Sequence, residues 1–347
     1  QDRLGCAPTR DRGKSPRGAG GQGCASLRIG KRRAGCSVGG MPSQCRWRPQ
    51  GQQKVGLRHG FSSKMMMMPR WVLAKSGSGS SSSIPPPSVS KPSALECDLV
   101  LSSGFLAFAN HSGFLRGVEE SGARIRGVMG TSAGALTGSL FCAGYTAEDI
   151  LRETTKDPPW KLVRPNLCFW KGLLRLDAVV HRLRELLPAT FEELQTDFAC
   201  AVLDAEGNYV LVDSGPLPEA VAASAAIPFL FARVDIPGRE NEGPFADGGA
   251  MERVGLLPWR AREGCDASVL ALCHVNSKSF GPLSGNDDLT GVPPSLNFEV
   301  VESPKSGVTL LSLGDWEGQY ERAVKRTKRA VREVCREREG KAKRPAA

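Results

Sequence analysis

The run Arg126-Gly127-Val128-Met129-Gly130-Thr131-Ser132-Ala133-Gly134 decides the fold class. Its first four residues read as a short buried strand, and the small residues from Ala133 to Ala143 read as a helix. The Gly130-x-Ser132-x-Gly134 pentapeptide therefore falls on the turn between them, which is the nucleophile-elbow pattern. Glycines on both sides let the backbone turn sharply and let neighbouring chains approach, so the serine hydroxyl stands exposed at the strand end. The helix that follows aims free N–H groups and its positive dipole end at the place where an oxyanion would form.

Upstream, Asp98 to Leu101 is an apolar run ending in the turn residues Ser102-Ser103-Gly104, and predicts a first buried strand. Ser112 to Ser121 carries Phe114, Leu115 and Val118 in a helical pattern closed by Gly122. Strand, helix, strand, helix is the signature of a parallel sheet with helices on its faces, so the domain is α/β. Downstream, Leu176 to Leu187 is helical by its three- and four-residue spacing. Ala199 to Leu203 and Tyr209 to Val212 form a hairpin, Pro218 to Ala226 a short helix, and Ser268 to Cys273 another strand.

The formal charge of +10 suggests a nucleic-acid partner until it is divided along the chain. Residues 1 to 95 hold 17 basic residues against Asp2 and Asp11, and residues 321 to 347 hold 11 basic against 4 acidic. The middle is left with 18 basic and 30 acidic residues, a balance of −12, so a basic groove for nucleic acid is not expected there. No apolar run is long enough to cross a bilayer as a helix. The 11 cysteines form no C-x-x-C pair, so neither a metal site nor a disulfide framework is signalled, and Cys142, Cys200 and Cys273 read as buried free thiols. No metal and no organic cofactor is expected.

Residues 1 to 93 read as a basic leader, 94 to 320 as the α/β domain and 321 to 347 as a basic amphipathic helical tail. The leader is rich in Ser, Gly, Arg and Pro and has no acidic residue from Arg12 to Leu95. That composition fits an organelle transit peptide, with a plastid as destination, or a plain linker. The chain opens with Gln1, and the natural start is expected at one of Met65 to Met68; with the leader discounted, the expectation is cytoplasmic.

A serine nucleophile needs a base. Ser132, Asp247 and His274 have the chain order of a Ser-Asp-His esterase, but few ordered residues precede the elbow for that fold. Phe245-Ala246-Asp247-Gly248-Gly249 offers a carboxylate instead, followed by glycines that permit close approach to another loop. Together with Gly130-Thr131-Ser132-Ala133-Gly134-Ala135 and the block Glu219 to Phe231, this Asp-Gly-Gly resembles the patatin-like phospholipases. The resemblance, over about residues 96 to 265, implies a three-layer α/β/α fold with a mostly parallel central sheet. It also implies a Ser132-Asp247 dyad acting on fatty-acyl esters of membrane glycerolipids, of the phospholipase A or galactolipase type. The family's glycine-rich oxyanion loop, G-G-G-x-[RK]-G, aligns with Ser103-Gly104-Phe105-Leu106-Ala107-Phe108, where only Gly104 survives and Ala107 stands for the basic residue. The oxyanion donors implied are the N–H groups of Gly104, Phe105 and Ala133. The altered loop also admits a silenced lipid-binding relative.

Other features have plainer readings. His111 is expected to be a structural imidazole bridging backbone groups, and His274 a strand-end residue. Trp160, Phe169, Trp170 and the Phe229-Leu230-Phe231 run are expected to plug the core rather than line an acyl tunnel or dip into lipid. Tyr320, Val324, Thr327, Val331 and Val334 make an apolar stripe between basic residues, which fits either peripheral contact with an anionic membrane or packing against the acidic domain.

Overall fold

Two-residue periodicity inside continuous apolar strands fixes the architecture. In β1 (Glu96–Leu101) and β2 (Arg124–Thr131), Leu99, Leu101 and Val128 point to one side while Val100 and Met129 point to the other, and all are fully buried. Strands without a polar face belong inside a parallel sheet covered on both sides. The computed structural model describes residues 95–278, 284–287, 289 and 292–342 of the chain. The transit-peptide reading of the leader and the start at Met65 to Met68 lie outside them.

The chain runs β1, α1 (Phe108–Ser121), β2, α2 (Ala133–Cys142), α3 (Ala147–Thr155), then the two-residue strands β3 (Arg164–Pro165) and β4 (Leu174–Arg175). It continues through α4 (Asp177–Leu186), β5 (Asp197–Leu203), β6 (Tyr209–Val212), α5 (Leu217–Ser224), β7 (Ala246–Asp247) and α6 (Leu256–Arg260). It ends with β8 (Leu270–Asn276), β9 (Phe298–Ser303) and α7 (Trp316–Ala342). The main sheet has the order β6-β5-β2-β1-β8-β9. Its four inner pairings are parallel, and only β6 and β7 lie antiparallel to β5. The strand order reverses between β1 and β8, and the loops at the carboxyl ends of β1 and β2 carry Gly104 and Ser132.

The three layers are unequal. Leu99, Leu101, Val128, Phe198 and Val202 meet Phe114 of α1, Leu140 of α2, Ile150 of α3, Val221 of α5 and Val331 of α7 in one continuous core. The opposite face is closed by short pieces around Val254, Leu256 and Trp259. That thin layer is pinned by Asp98, buried inside β1, which accepts hydrogen bonds from Trp259 Nε1 at 3.1 Å and from Arg260 at 2.9 Å. The expected free thiols are seen: Cys142, Cys200 and Cys273 are buried, and burial pushes each thiol up, Cys273 to about 12, so none is a thiolate.

The last helix is woven into the domain. Thr327, Val331 and Val334 are buried, and α7 lies along α1 so closely that a methyl group added at Gly113 would stand 2.3 Å from the Tyr320 carbonyl oxygen. One added at Gly117 would stand 2.6 Å from Thr327 Cβ. The apolar stripe of the tail is therefore spent on α1, and Lys328 pairs with Glu120 of that helix. Gly117→Val should lower the unfolding midpoint, costing about 1–3 kcal/mol by overpacking this seam. An unchanged midpoint in urea denaturation would show that α7 does not seal α1.

Candidate active site

The elbow is built as its residue types require. Ser132 sits at φ 55 and ψ −117, a backbone conformation a side chain adopts only when its surroundings enforce it. Two neighbours enforce it. The Ser132 N–H donates to Ser224 Oγ of α5 at 3.0 Å, and Gly134 packs so tightly under β1 that a Cβ there would fall 2.2 Å from the Leu101 carbonyl oxygen. Gly130 is equally confined, its added Cβ meeting Gly134 and Ala135 at 2.6 Å. Ser132 thus ends β2 and heads α2, whose first N–H groups, Ala133 among them, have no carbonyl within the helix to bond.

Asp247 reaches this serine along the edge of β5 that β2 also occupies, just past the end of β2. It pairs with Val202 through β7, and its N–H donates to the Ala226 carbonyl at 2.9 Å. Its carboxylate accepts from the Gly249 N–H at 2.7 Å and lines one small cavity with Ser132, whose hydroxyl lowers its pKa. Gly249 has no room for a side chain, because a Cβ there would stand 2.6 Å from Ser103 Cβ. Burial pushes the Asp247 carboxyl from the ordinary 3.8 up to about 7, and the Ser132 hydroxyl, the Gly249 N–H and the charge of Arg253 hold it from rising further. A small cavity of about 30 Å³ lies between Gly104, Phe105, Ser132 and Asp247, and a larger apolar one of about 330 Å³ leads from Ser132 past Leu136, Leu140, Val179 and Leu183. The predicted residues are thus brought together: Ser132, Asp247, Gly104 and Phe105 around a cavity wide enough for one water, and Ala133 at the helix head.

Arg253 is the residue that sequence reading missed. It is sealed inside the protein, with its own N–H groups donating to the Ser103 carbonyl at 2.9 Å, the Ser103 hydroxyl at 3.2 Å, the Asn276 carbonyl at 2.5 Å and the Asp287 carboxylate. The Ser103 N–H in turn donates to the Arg253 carbonyl at 2.8 Å. A guanidinium six residues after Asp247 therefore bolts down the loop that carries Gly104 and Phe105. Ala107, where a basic residue was missed, is itself buried, so the cation enters from a different segment. Ser224 was also given no role, although it lies inside the Glu219 to Phe231 block.

The histidines are occupied elsewhere. His111 Nε2 donates to the Ser102 carbonyl at 3.0 Å, which leaves Nδ1 to accept from His274 Nδ1 at 2.8 Å. His274 Nε2 accepts from the Ser303 hydroxyl at 2.9 Å, and Arg326 of α7 donates to that same oxygen at 2.9 Å. Both nitrogens of His274 are used, so it has none left for Asp247. Burial drives His111 down to about 3 and His274 well below the ordinary value, which keeps the pair neutral. Trp160, Phe169, Trp170 and Phe229 correct the expectation of core plugs: all four are exposed, and of these aromatics only Phe231 is buried. Among the described residues no group of His, Cys, Asp or Glu is arranged to hold a metal ion.

Residues 99–258 match the family model described as patatin-like phospholipase. An uncharacterised NTE family protein of Mycobacterium tuberculosis is 29% identical over 188 residues, 53% of this chain and 50% of its own length. The protein YqhO of Bacillus subtilis is 24% identical over 184 residues, 44% of this chain and 63% of its own. The chain thus spans about half the length of the mycobacterial relative. Among solved structures, VipD from Legionella pneumophila aligns at 16% identity and a TM-score of 0.42, covering 70% of this chain and 67% of that one. ExoU of Pseudomonas aeruginosa, solved with SpcU, aligns at 14% and 0.40, covering 69% and 53%.

Two predictions follow from this geometry. Between pH 3.8 and about 7 the folded chain keeps on Asp247 a proton that the unfolded chain has released, so this group weakens folding as pH rises through that window and levels off above it. Asp247→Asn should therefore raise the melting temperature relative to wild type at pH 8 and not at pH 4; an equal change at both would contradict the raised pKa. Arg253→Gln should move the Asp247 titration to higher pH, because the positive charge that restrains it is gone, and Arg253→Lys should move it less. A titration of Asp247 that stays in place, read by NMR, would remove Arg253 from the electrostatics of the site.

Proposed function

Starting from a chain whose residues 99–258 match the patatin-like phospholipase family model, we propose that it is a serine lipid acyl hydrolase cleaving fatty-acyl esters of membrane glycerolipids. The observation that carries this reading is the strained Ser132 on the wall of a small cavity that it shares with the buried carboxylate of Asp247, which burial raises to about 7. A carboxylate of ordinary pKa is too weak a base to accept a serine proton near neutrality, and burial removes that mismatch by about three pKa units. In the mechanism, Asp247 takes the proton of Ser132 as the serine oxygen attacks the ester carbonyl. The N–H groups of Ala133, Gly104 and Phe105 receive the oxyanion, a service worth about 2.7–4 kcal/mol per donor in other hydrolases. The tetrahedral species collapses to acyl-serine, and the departing alcohol takes its proton from Asp247. Water then gives a proton to Asp247 and attacks the acyl-serine, releasing the fatty acid and returning the proton to Ser132.

The apolar cavity beside Ser132 supports a long acyl chain as the part of the substrate that is buried. The silenced-relative reading loses force because Arg253 supplies the anchoring that the altered loop lacks in its own sequence. The Ser-Asp-His reading loses force because His274 is fully engaged with His111 and Ser303.

A fluorophosphonate probe should label the wild type and leave Ser132→Ala unlabelled, and ester hydrolysis should vanish with the label. Hydrolysis retained in Ser132→Ala would sink the enzyme reading. His274→Asn should keep at least a tenth of the activity per folded molecule while Asp247→Asn loses nearly all, and kcat/KM should rise with pH through an apparent pKa near 7. Equal collapse of the two variants would restore the histidine triad.

A further inference from the structure

Nine large apolar side chains are exposed among the described residues, and seven of them come from three segments that border the apolar cavity beside Ser132. The hairpin between β3 and β4 carries Leu167 (93% exposed), Phe169 (66%) and Trp170 (70%), and Leu173 follows at its foot. Phe229 lies alongside, since the Leu173 N–H donates to its carbonyl at 3.2 Å. Trp160 is joined in the same way to Leu310, next to exposed Leu311, at 3.2 Å. Pro159, Leu162, Ile227, Phe231 and Leu310 of these same segments line the cavity. Phe229 is also held at φ 68 with its ring 76% exposed, a strained conformation that presents an aromatic surface to solvent with no packing in return.

The charge of this face runs against that of its domain. Residues 156 to 175 hold five basic residues and Asp157, whereas residues 96 to 320 as a whole balance at −12. Lys161 pairs with Asp157 and Arg175 with Asp177, while exposed Lys156, Arg164 and Lys171 enter no ion pair among the described residues. Aromatics with basic residues around them on an exposed ledge match the water–lipid boundary, where rings sit at headgroup depth and cations meet anionic lipid.

We infer that this ledge is a membrane-docking surface for a bilayer bearing anionic headgroups. Leu167, Phe169 and Trp170 enter the interface, Lys156, Arg164 and Lys171 lie among the headgroups, and the cavity mouth opens onto the acyl chains. The acyl-hydrolase reading supplies the reason for the coincidence of mouth and patch, although attachment itself needs no hydrolysis. A second copy is the wrong occupant, because it would bring the same positive charge against itself.

The test is cosedimentation of the full chain with phosphatidylcholine vesicles, with and without 30 mol% phosphatidylglycerol (roughly the anionic content of a charged leaflet). Each basic residue at an anionic surface multiplies binding about fivefold, so the anionic vesicles should bind at least about tenfold more tightly. Phe169→Ser with Trp170→Ser, and separately Arg164→Glu with Lys171→Glu, should each weaken that binding about tenfold or more. Both pairs should keep hydrolysis of soluble p-nitrophenyl butyrate within about twofold, since none of the four residues touches the reacting groups. Wild-type binding in both pairs would overturn the proposal. So would a wild-type dimer that the Phe169/Trp170 pair splits, or a Trp170 already shielded from iodide without vesicles, read as unchanged quenching in Trp170→Phe. Vesicle binding without ester hydrolysis would sink the hydrolase reading and support this one; hydrolysis of the soluble ester without vesicle binding would do the reverse.

Discussion

A guanidinium shut away from water organises this protein. Arg253 cannot give up its proton, so its charge has to be met inside the fold, and what meets it is the machinery itself: the Ser103 backbone and hydroxyl, the end of β8 at Asn276, and Asp287. Those contacts hold the segment after β1 against the segment after β7, which are the two walls of the small cavity in front of Ser132. The same charge tempers the carboxyl of Asp247, which desolvation alone would drive higher. One side chain therefore holds the walls of the site and also restrains a carboxyl that burial has raised.

Dryness does the rest of the electrostatic tuning. It lifts Asp247 into the range of a neutral-pH base, and it keeps His111 and His274 uncharged. The two imidazoles form a chain of hydrogen bonds that begins at the Ser102 carbonyl and ends at Arg326, so they brace the loop after β1 against the last helix. Histidine is used here for its two oppositely directed ring nitrogens, one giving and one receiving.

The βαβ start and the elbow were legible because their physics is local: apolar runs of strand length, turn residues, and glycines where backbones must touch. The β5–β6 hairpin and the helix at Asp177–Leu186 were read for the same reason. Helix α3 was equally legible from its capping box, Thr146 with Asp149, yet no element was read there; β9 was likewise passed over. Arg253 was beyond reach, since nothing adjacent to it announces burial and arginines are as a rule exposed. The aromatics of the β3–β4 hairpin misled for the converse reason: their type predicts burial, but among the described residues no second layer lies above that short hairpin to bury them.

The seam between α1 and α7 joins the second element of the chain to its last. During synthesis the glycine-lined face of α1 is made early and waits, uncovered, while some two hundred residues follow. β9, which extends the sheet beside β8, also arrives late. Such a domain can collect its inner strands on the ribosome but closes only when α7 emerges, so the bare α1 face has a long interval to wait.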